Sequence, residues 1–381
     1  MSFLSRFFAE ADSSALGIDI GSSAIKIVQI GKKNGQAVLE TYGELALGPY
    51  AGGSVGQAVS LPPEKISQAL VDLMKEKEVN VTTKKCGISI PFISSLISVI
   101  EMPQVSPKQL AVMVPIEARR HIPVPIADVV LDWSIIPRNE ESGDSSSEDE
   151  VPERKPFPST KDPSFATKPK MDVLTVAIHK DTIAKYQEII TSAGLDASFF
   201  EIEIFSTMRA VLNDSVKPIM IIDMGAASTK LYVVERGIIR SSHTINRGSQ
   251  DITSVMAKSL NLTIERAEIL KRQVGLEGTD KSLTELINLV LGDIFAQINN
   301  ILLIYEKKYN KAISKAVLVG GGASLKGIAD SAKESFKAEA VKADPFSKLS
   351  SPAFLEGILK ETGPEFAVAI GLAIRKLSEE N

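Results

Sequence analysis

The sequence predicts an α/β protein of two lobes built on one repeated unit, with a further subdomain inserted into the first copy. Three observations carry this. A strand-turn-strand pattern with Asp, Gly and Lys at the same offsets occurs at residues 18–27 and again at 222–231. A charged stretch almost without aliphatic residues interrupts the first half. The 381 residues exceed the roughly 250 to 300 at which a single core stops growing.

In chain order, residues 16–20 alternate apolar and polar with period two, 21–23 (Gly-Ser-Ser) form a turn, and 24–30 form a second strand. Pro62 and Pro63 open a helix over 62–77 with Ile66, Leu70 and Leu73 on one face, and a strand follows at 87–90. Residues 110–120 read as helix until Pro123 and Pro125, where helix cannot continue. From 139 to 170 the chain is acidic and serine-rich, then basic and proline-containing; it cannot bury enough surface to offset the entropy of ordering, and a disordered loop is expected. Structure resumes with a strand at 171–178 and a helix at 182–192 that ends before Gly194 at a C-cap position. A strand near 197–203 leads to the second half: strand, hairpin, mostly helix over 249–309, a strand at 315–319 and further helices.

Hydrophobic residues at 44% and charged residues at 24% fit neither a disordered chain nor a membrane bundle. The net charge of -4, from 43 basic and 47 acidic residues, argues against nucleic acid as a partner. Cys86 is the single cysteine and cannot form an internal disulfide; with no secretory signal ahead of the first strand, the expected compartment is the cytoplasm. No run approaches the ~20 apolar residues of a spanning helix, so no transmembrane segment is expected. The start places Phe3, Leu4, Phe7 and Phe8 at helical spacing with Arg6 opposite, which reads either as a short interfacial helix or as an arm packed on its own domain.

The repeat carries the chemistry. Ile18-Asp19-Ile20-Gly21-Ser22-Ser23-Ala24-Ile25-Lys26 aligns with Ile222-Asp223-Met224-Gly225-Ala226-Ala227-Ser228-Thr229-Lys230. Small residues at a hairpin tip let backbone N–H groups approach phosphate oxygens without a Cβ in the way, and Gly21 and Gly225 are expected to supply that access. An aspartate beside a phosphate makes sense next to a hydrated Mg²⁺, so Asp19 and Asp223 are the expected metal-side carboxylates, acting through water. The alternative is a turn chosen for geometry, since Asp and Gly favour hairpin tips in any case. A third element, the strand 316–319 breaking into Gly320-Gly321-Gly322 and then Ala323-Ser324-Leu325, is expected to open a helix whose N-terminus favours an anion. It matches neither a Rossmann fingerprint nor a Walker A loop.

Two such hairpins followed by a strand-glycine turn resemble the actin, heat-shock chaperone and sugar-kinase superfamily over nearly the whole chain. The insertion resembles the relocated subdomain of FtsA and, more closely, that of the PilM family of type IV pilus assembly proteins. The residues that carry this are Met102-Pro103, Glu117-Ala118-Arg119-Arg120-His121-Ile122-Pro123, Val130-Leu131-Asp132-Trp133, Ala193-Gly194-Leu195 and Ile370-Gly371-Leu372-Ala373. The resemblance implies a two-lobed actin-like (ribonuclease H-like) ATPase fold with an FtsA-type inserted subdomain. Lobe 1 would comprise 15–94 and 193–214, the insert 95–192, lobe 2 215–255 and 311–381, and a helical subdomain 256–310.

The same resemblance implies ATP and Mg²⁺ as ligands, with phosphates between 21–23 and 225–227 and adenine against Gly320, Gly321 and Gly322. Helix 263–273 would contact base or ribose through Glu268 and Lys271, whose other reading is a salt bridge on a solvated face. Lys26, Ser228 and Ser324 complete the expected set. The implied role is a scaffold that binds the N-terminal cytoplasmic segment of PilN, an inner-membrane platform protein, in a groove of the first lobe. The chain would then sit peripherally at the inner membrane through its partners, with self-association possible. The long charged loop departs from the family pattern. Catalysis is left open, with at most slow ATP hydrolysis, because no residue that would position or deprotonate the attacking water stands out. His121, His179 and His243 have no metal-ligand spacing. The alternatives are a polymerising protein like FtsA and a small-metabolite kinase, which would need a carboxylate base facing the cleft.

Overall fold

The computed structural model describes residues 14–136, 169–213 and 217–379. The expected N-terminal interfacial helix and nearly all of the expected disordered loop lie outside the described residues.

The first lobe opens with β1 (Ala15–Ile20), β2 (Ala24–Lys33) and β3 (Gln36–Ala46), followed by α1 (Pro63–Lys75) and β4 (Lys85–Ile90). The strand β3 is absent from the sequence reading. Its signal was Asn34-Gly35, which joins β2 to β3 with both residues at positive φ, 53° and 78°, as a two-residue hairpin turn requires.

The chain then enters a separate compact unit, Ile93–Asp181, containing β5 (Ser95–Pro103), α2 (Pro107–Ala118), β6 (Val129–Ile136) and β7 (Lys170–His179). Its antiparallel sheet has the order β5-β7-β6. Leu110, Val114 and Ala118 of α2 pack on Ile100, Met102, Val129, Val173 and Ala177. Lys170, expected to close the charged loop, is the first residue of β7.

Back in the larger unit, α3 (Lys180–Ser192) leads to β8 (Asp196–Ile202) and α4 (Glu203–Val211). The compact unit ends at Asp181, ahead of the expected end of the insert at 192. The physical reason is that Ser67 Oγ on α1 donates to the carbonyl of Ile189 at 3.1 Å, seating α3 on the first lobe. Gly194 takes the left-handed conformation, φ 73°, expected after a helix end.

The second lobe repeats the plan with β9 (Ile219–Met224), β10 (Thr229–Glu235) and β11 (Ile238–Ile245). Next come α5 (Ser249–Leu260), α6 (Ile264–Val274), α7 (Lys281–Tyr309), β12 (Lys315–Val319), α8 (Ile328–Phe336), β13 (Glu339–Lys342), α9 (Glu356–Thr362) and α10 (Ala367–Glu379). The two sheets have matching orders, β3-β2-β1-β4-β8 and β11-β10-β9-β12-β13. In each, three antiparallel strands are extended by two parallel ones. The duplication read from nine residues therefore extends to whole lobes.

Two expected boundaries do not hold. Helix α5 runs unbroken across residue 255, and α5, α6 and α7 share one core with Met220, Ile222 and Leu231 of the sheet. The end of the chain does not belong to lobe 2 either: α10 packs on β1, β2, β4 and α4 of the first lobe. Close approach explains why. A Cβ on Gly17 would overlap the carbonyl of Ala369, and one on Gly371 would overlap that of Ser206. Glu201 then accepts from both Arg209 and Arg375 at 2.8 Å, tying β8 and α4 to α10.

Helix α7 is 29 residues long and, by length and composition alone, apolar enough to cross a membrane. Its Ile287, Val290, Leu291, Ile294 and Ile298 lie in the core of the second lobe.

Replacing Gly371 by Ala should lower the urea midpoint with a loss of about 3 kcal/mol, because overpacking against backbone cannot relax. Gly292→Ala on α7, where a Cβ meets nothing within 4 Å, should instead stabilise by about 0.5 to 1 kcal/mol. Equilibrium denaturation of both variants checks the pair.

Candidate functional site

Each lobe contributes one hairpin tip, and the two tips are built alike. The amide of Gly21 donates to Ala24 O at 3.0 Å and that of Gly225 to Ser228 O at 3.0 Å. These glycine amides are thus spent inside the turn, and the access the glycines give is for the amides that follow them. The amides of the next two residues, Ser22 and Ser23 in one tip and Ala226 and Ala227 in the other, donate to no acceptor among the described residues.

The carbonyls are handled in the opposite way. Ser22 O accepts from Val59 N at 2.9 Å and Ser23 O from Leu47 N at 2.8 Å; Gly225 O accepts from Ser249 N at 2.9 Å and Ala226 O from Gln250 N at 3.0 Å. Gly248 is needed for the second arrangement, since a Cβ there would overlap Ala226 O. Carbonyls held from behind and adjacent amides left over make an anion-binding concavity.

Both tips open on one cavity of about 320 Å³, within the range of small-molecule sites. Its lining includes every residue expected from the sequence: Asp19, Gly21, Ser22, Ser23, Lys26, Asp223, Gly225, Ala226, Ala227, Ser228, Glu268, Lys271, Gly320, Gly321, Gly322 and Ser324. His121, His179 and His243 are not among the lining residues.

The glycine turn differs from its expected form. Gly321–Ser324 is a single 3₁₀ turn, and the helix begins only at Ile328, so no helix N-terminus follows the glycines directly. Gly320, at φ 82°, leaves room for Asp223, and a Cβ on Gly322 would sit 2.7 Å from Cβ of Met224. Those two glycines serve close packing on the second hairpin. Ser324 Oγ is buried and has no partner in hydrogen-bond geometry, although the Glu365 carboxylate is close enough to feel it.

The charges sit in two clusters. Asp19 pairs across the hairpin with Lys26, and Asp223 with Lys230, in the same register. Lys230 Nζ lies 2.8 Å from Glu203 and 3.2 Å from Asp223, and Glu203 also accepts from Phe92 N at 2.6 Å. Burial pushes the Glu203 carboxyl up, against the pull of Lys230, and pushes Asp19 up against the pull of Lys26. Burial works against the charge on Lys230, yet Glu203 and Asp223 outweigh it and raise its pKa. Around Lys26 the carboxylates are Glu44, at 3.5 Å, and Glu365.

On α6, Lys271 Nζ lies 2.6 Å from Glu268, whose other oxygen accepts from Arg272 at 2.8 Å. This is the salt bridge of the alternative reading, but on a buried face: Glu268 and Lys271 are 5% and 6% exposed and line the cavity. Burial would raise the Glu268 carboxyl, but Lys271 holds it below its ordinary value.

Glu44, Glu203 and Glu365 were missed from the sequence and answer the missing cleft carboxylate. Glu203 had a signal, since it follows directly on the C-terminal end of β8, where α/β sheets present functional groups. Glu44 and Glu365 lie far apart in sequence and had none.

A family model described as type IV pilus assembly protein PilM matches residues 17–151 and 160–377. The chain belongs to the PilM family of type IV pilus assembly proteins. Among curated relatives of this PilM-family chain, cell division protein FtsA of Staphylococcus epidermidis is 25% identical over 187 residues, 42% of this chain and 39% of that protein. FtsA of Neisseria meningitidis is 26% identical over 216 residues, 50% of each. The matches thus span half or less of these relatives' lengths. Among solved structures, a PilM–PilN type IV pilus biogenesis complex matches with a TM-score of 0.74 at 23% identity, covering 95% of this chain and 98% of that one. MreB 5 of Spiroplasma citri bound to AMPPNP matches with 0.51 at 10% identity, covering 96% and 97%. The fold is therefore the two-lobed actin-like fold of those proteins.

Lys230→Met should destabilise the PilM-family chain by about 3 kcal/mol at neutral pH, leaving buried carboxylates without their cation. With the folded pKa of Glu203 raised further above 4.5, the folded state binds more protons than the unfolded one, so this variant should regain stability as pH falls from 8 towards 6. Denaturation midpoints across that range check the sign.

Proposed function

We propose that this chain is an ATP-binding scaffold of the type IV pilus assembly machinery that binds the N-terminal cytoplasmic segment of a PilN-like inner-membrane protein. The observation that carries the nucleotide half is the pair of hairpin tips, each with two unspent amides and tethered carbonyls, opening on one cavity. Four amides from two lobes suit a polyphosphate chain better than a single phosphate. Ser324 Oγ, beside Glu365, and the buried Glu268–Lys271 pair supply polar groups for the rest of the nucleotide.

Mg²⁺ fits the donor chemistry, because Asp19, Glu203 and Asp223 offer oxygens and still outnumber the two lysines beside them, Lys26 and Lys230. Among the described residues no three such side chains form a cage, which favours an ion held through its waters and the phosphates, with Asp19 and Asp223 beside it. The ion would neutralise the charge of the triphosphate at the tips. The carboxylates speak against fast chemistry: Glu203 is engaged by Lys230 and Phe92 N, and Glu44 by Lys26, so neither is a free base.

Family membership supports the PilN-like partner. In this reading α7 remains a core helix, the chain is cytoplasmic, and it meets the inner membrane only through that partner.

Asp19→Ala and Asp223→Ala should each weaken Mg-ATP binding by roughly tenfold or more, and should remove the gain in affinity that ATP confers on a synthetic PilN-like N-terminal peptide. Titration calorimetry measures both. Unchanged ATP affinity in both variants would overturn the assignment.

A further inference from the structure

The segment 47–61, between β3 and α1, belongs to the first lobe by sequence and by the bond from Tyr50 Oη to Asp72 at 2.6 Å. Its far side reaches the second lobe. Ala58 N donates to Gln250 Oε1 at 3.1 Å, and Gly56, at φ 82°, lies so close to α6 that a Cβ would sit 2.9 Å from Cδ of Glu268.

Gln250 therefore stands at a junction. Its backbone amide donates to Ala226 O of the second tip, while its side chain accepts from Ala58; the next residue, Val59, donates to Ser22 O of the first tip. Three hydrogen bonds, joined through the Ala58–Val59 peptide link and the Gln250 side chain, thus connect one tip to the other. Separating the lobes far enough to release a bound triphosphate would break the Ala58–Gln250 bond and lift Gly56 from Glu268.

We propose that segment 47–61 is a strap latched to the second lobe by Gln250, which makes Gln250 a positioning residue that holds the two tips in register and limits nucleotide release. The release half rests on the ATP reading above; the latch itself does not.

The test uses the full chain with Gln250→Ala, Gln250→Glu and Gly56→Ala, and two measurements. Stopped-flow release of a fluorescent ATP analogue should be roughly fivefold to tenfold faster in Gln250→Ala, the loss of about one hydrogen bond. Gln250→Glu, which keeps an acceptor oxygen, should stay within about twofold of the parent. Gly56→Ala should shift in the same direction as Gln250→Ala, because the added methyl displaces the strap. Hydrogen exchange at the Ala58 amide, measured without nucleotide, should accelerate in Gln250→Ala and not in Gln250→Glu. Release at the parental rate, or an Ala58 amide equally protected in Gln250→Ala, would overturn the strap. A parent chain that takes up no nucleotide would overturn the ATP reading and the release half, while accelerated Ala58 exchange would still support the latch.

Discussion

A hairpin tip can point its amides at a ligand only if its carbonyls have somewhere else to go. In both lobes they do: two carbonyls of each tip are bound from behind, by strap amides in the first lobe and by the first amides of α5 in the second. The rest of the site depends on this. With the carbonyls held, the adjacent amides at 22–23 and 226–227 form a fixed donor surface that need not reorganise when an anion arrives. Losing these tethers would let the tips turn their carbonyls towards the cavity and repel the same anion.

The electrostatics follow the same division. Buried carboxylates and lysines are costly to keep in a folded protein, and replacing such clusters by apolar residues is often neutral or stabilising. Here Asp19, Glu203 and Asp223 surround Lys230, while Glu44 and Glu365 face Lys26, all on one cavity. The carboxylate excess is what a dication beside a polyphosphate would balance. The proposed ligand thus accounts for a charge arrangement that folding alone would not favour.

Packing explains how two lobes act as one body. The end of the chain returns to the first lobe as α10, pressed so tightly against β1 and α4 that glycine is required at 17 and 371. The strap leaves the first lobe and reaches α5 and α6 of the second. The chain thus crosses between the lobes twice, once where α10 returns to the first and once where the strap reaches the second. Burial of the Glu201 carboxylate between Arg209 and Arg375 fixes the first crossing.

The duplicated hairpins with their strands, and the glycine turn after β12, were legible in the sequence because each depends on local pattern: period-two alternation, a repeated Asp-Gly-Lys spacing, glycines after a buried strand. Even β3 had a local signal in Asn34-Gly35. Three things were not legible. Which tip carbonyls are held from behind depends on donors at 47, 59, 249 and 250, remote from the tips in sequence. Whether Glu268 and Lys271 lie on a solvated or a buried face depends on what packs over α6. The lobe to which α10 belongs depends on interlocking backbone that no spacing encodes. Local chemistry is written in neighbouring residues, whereas burial, pairing and the return of the chain arise from contacts between distant ones, and only the folded structure decides those.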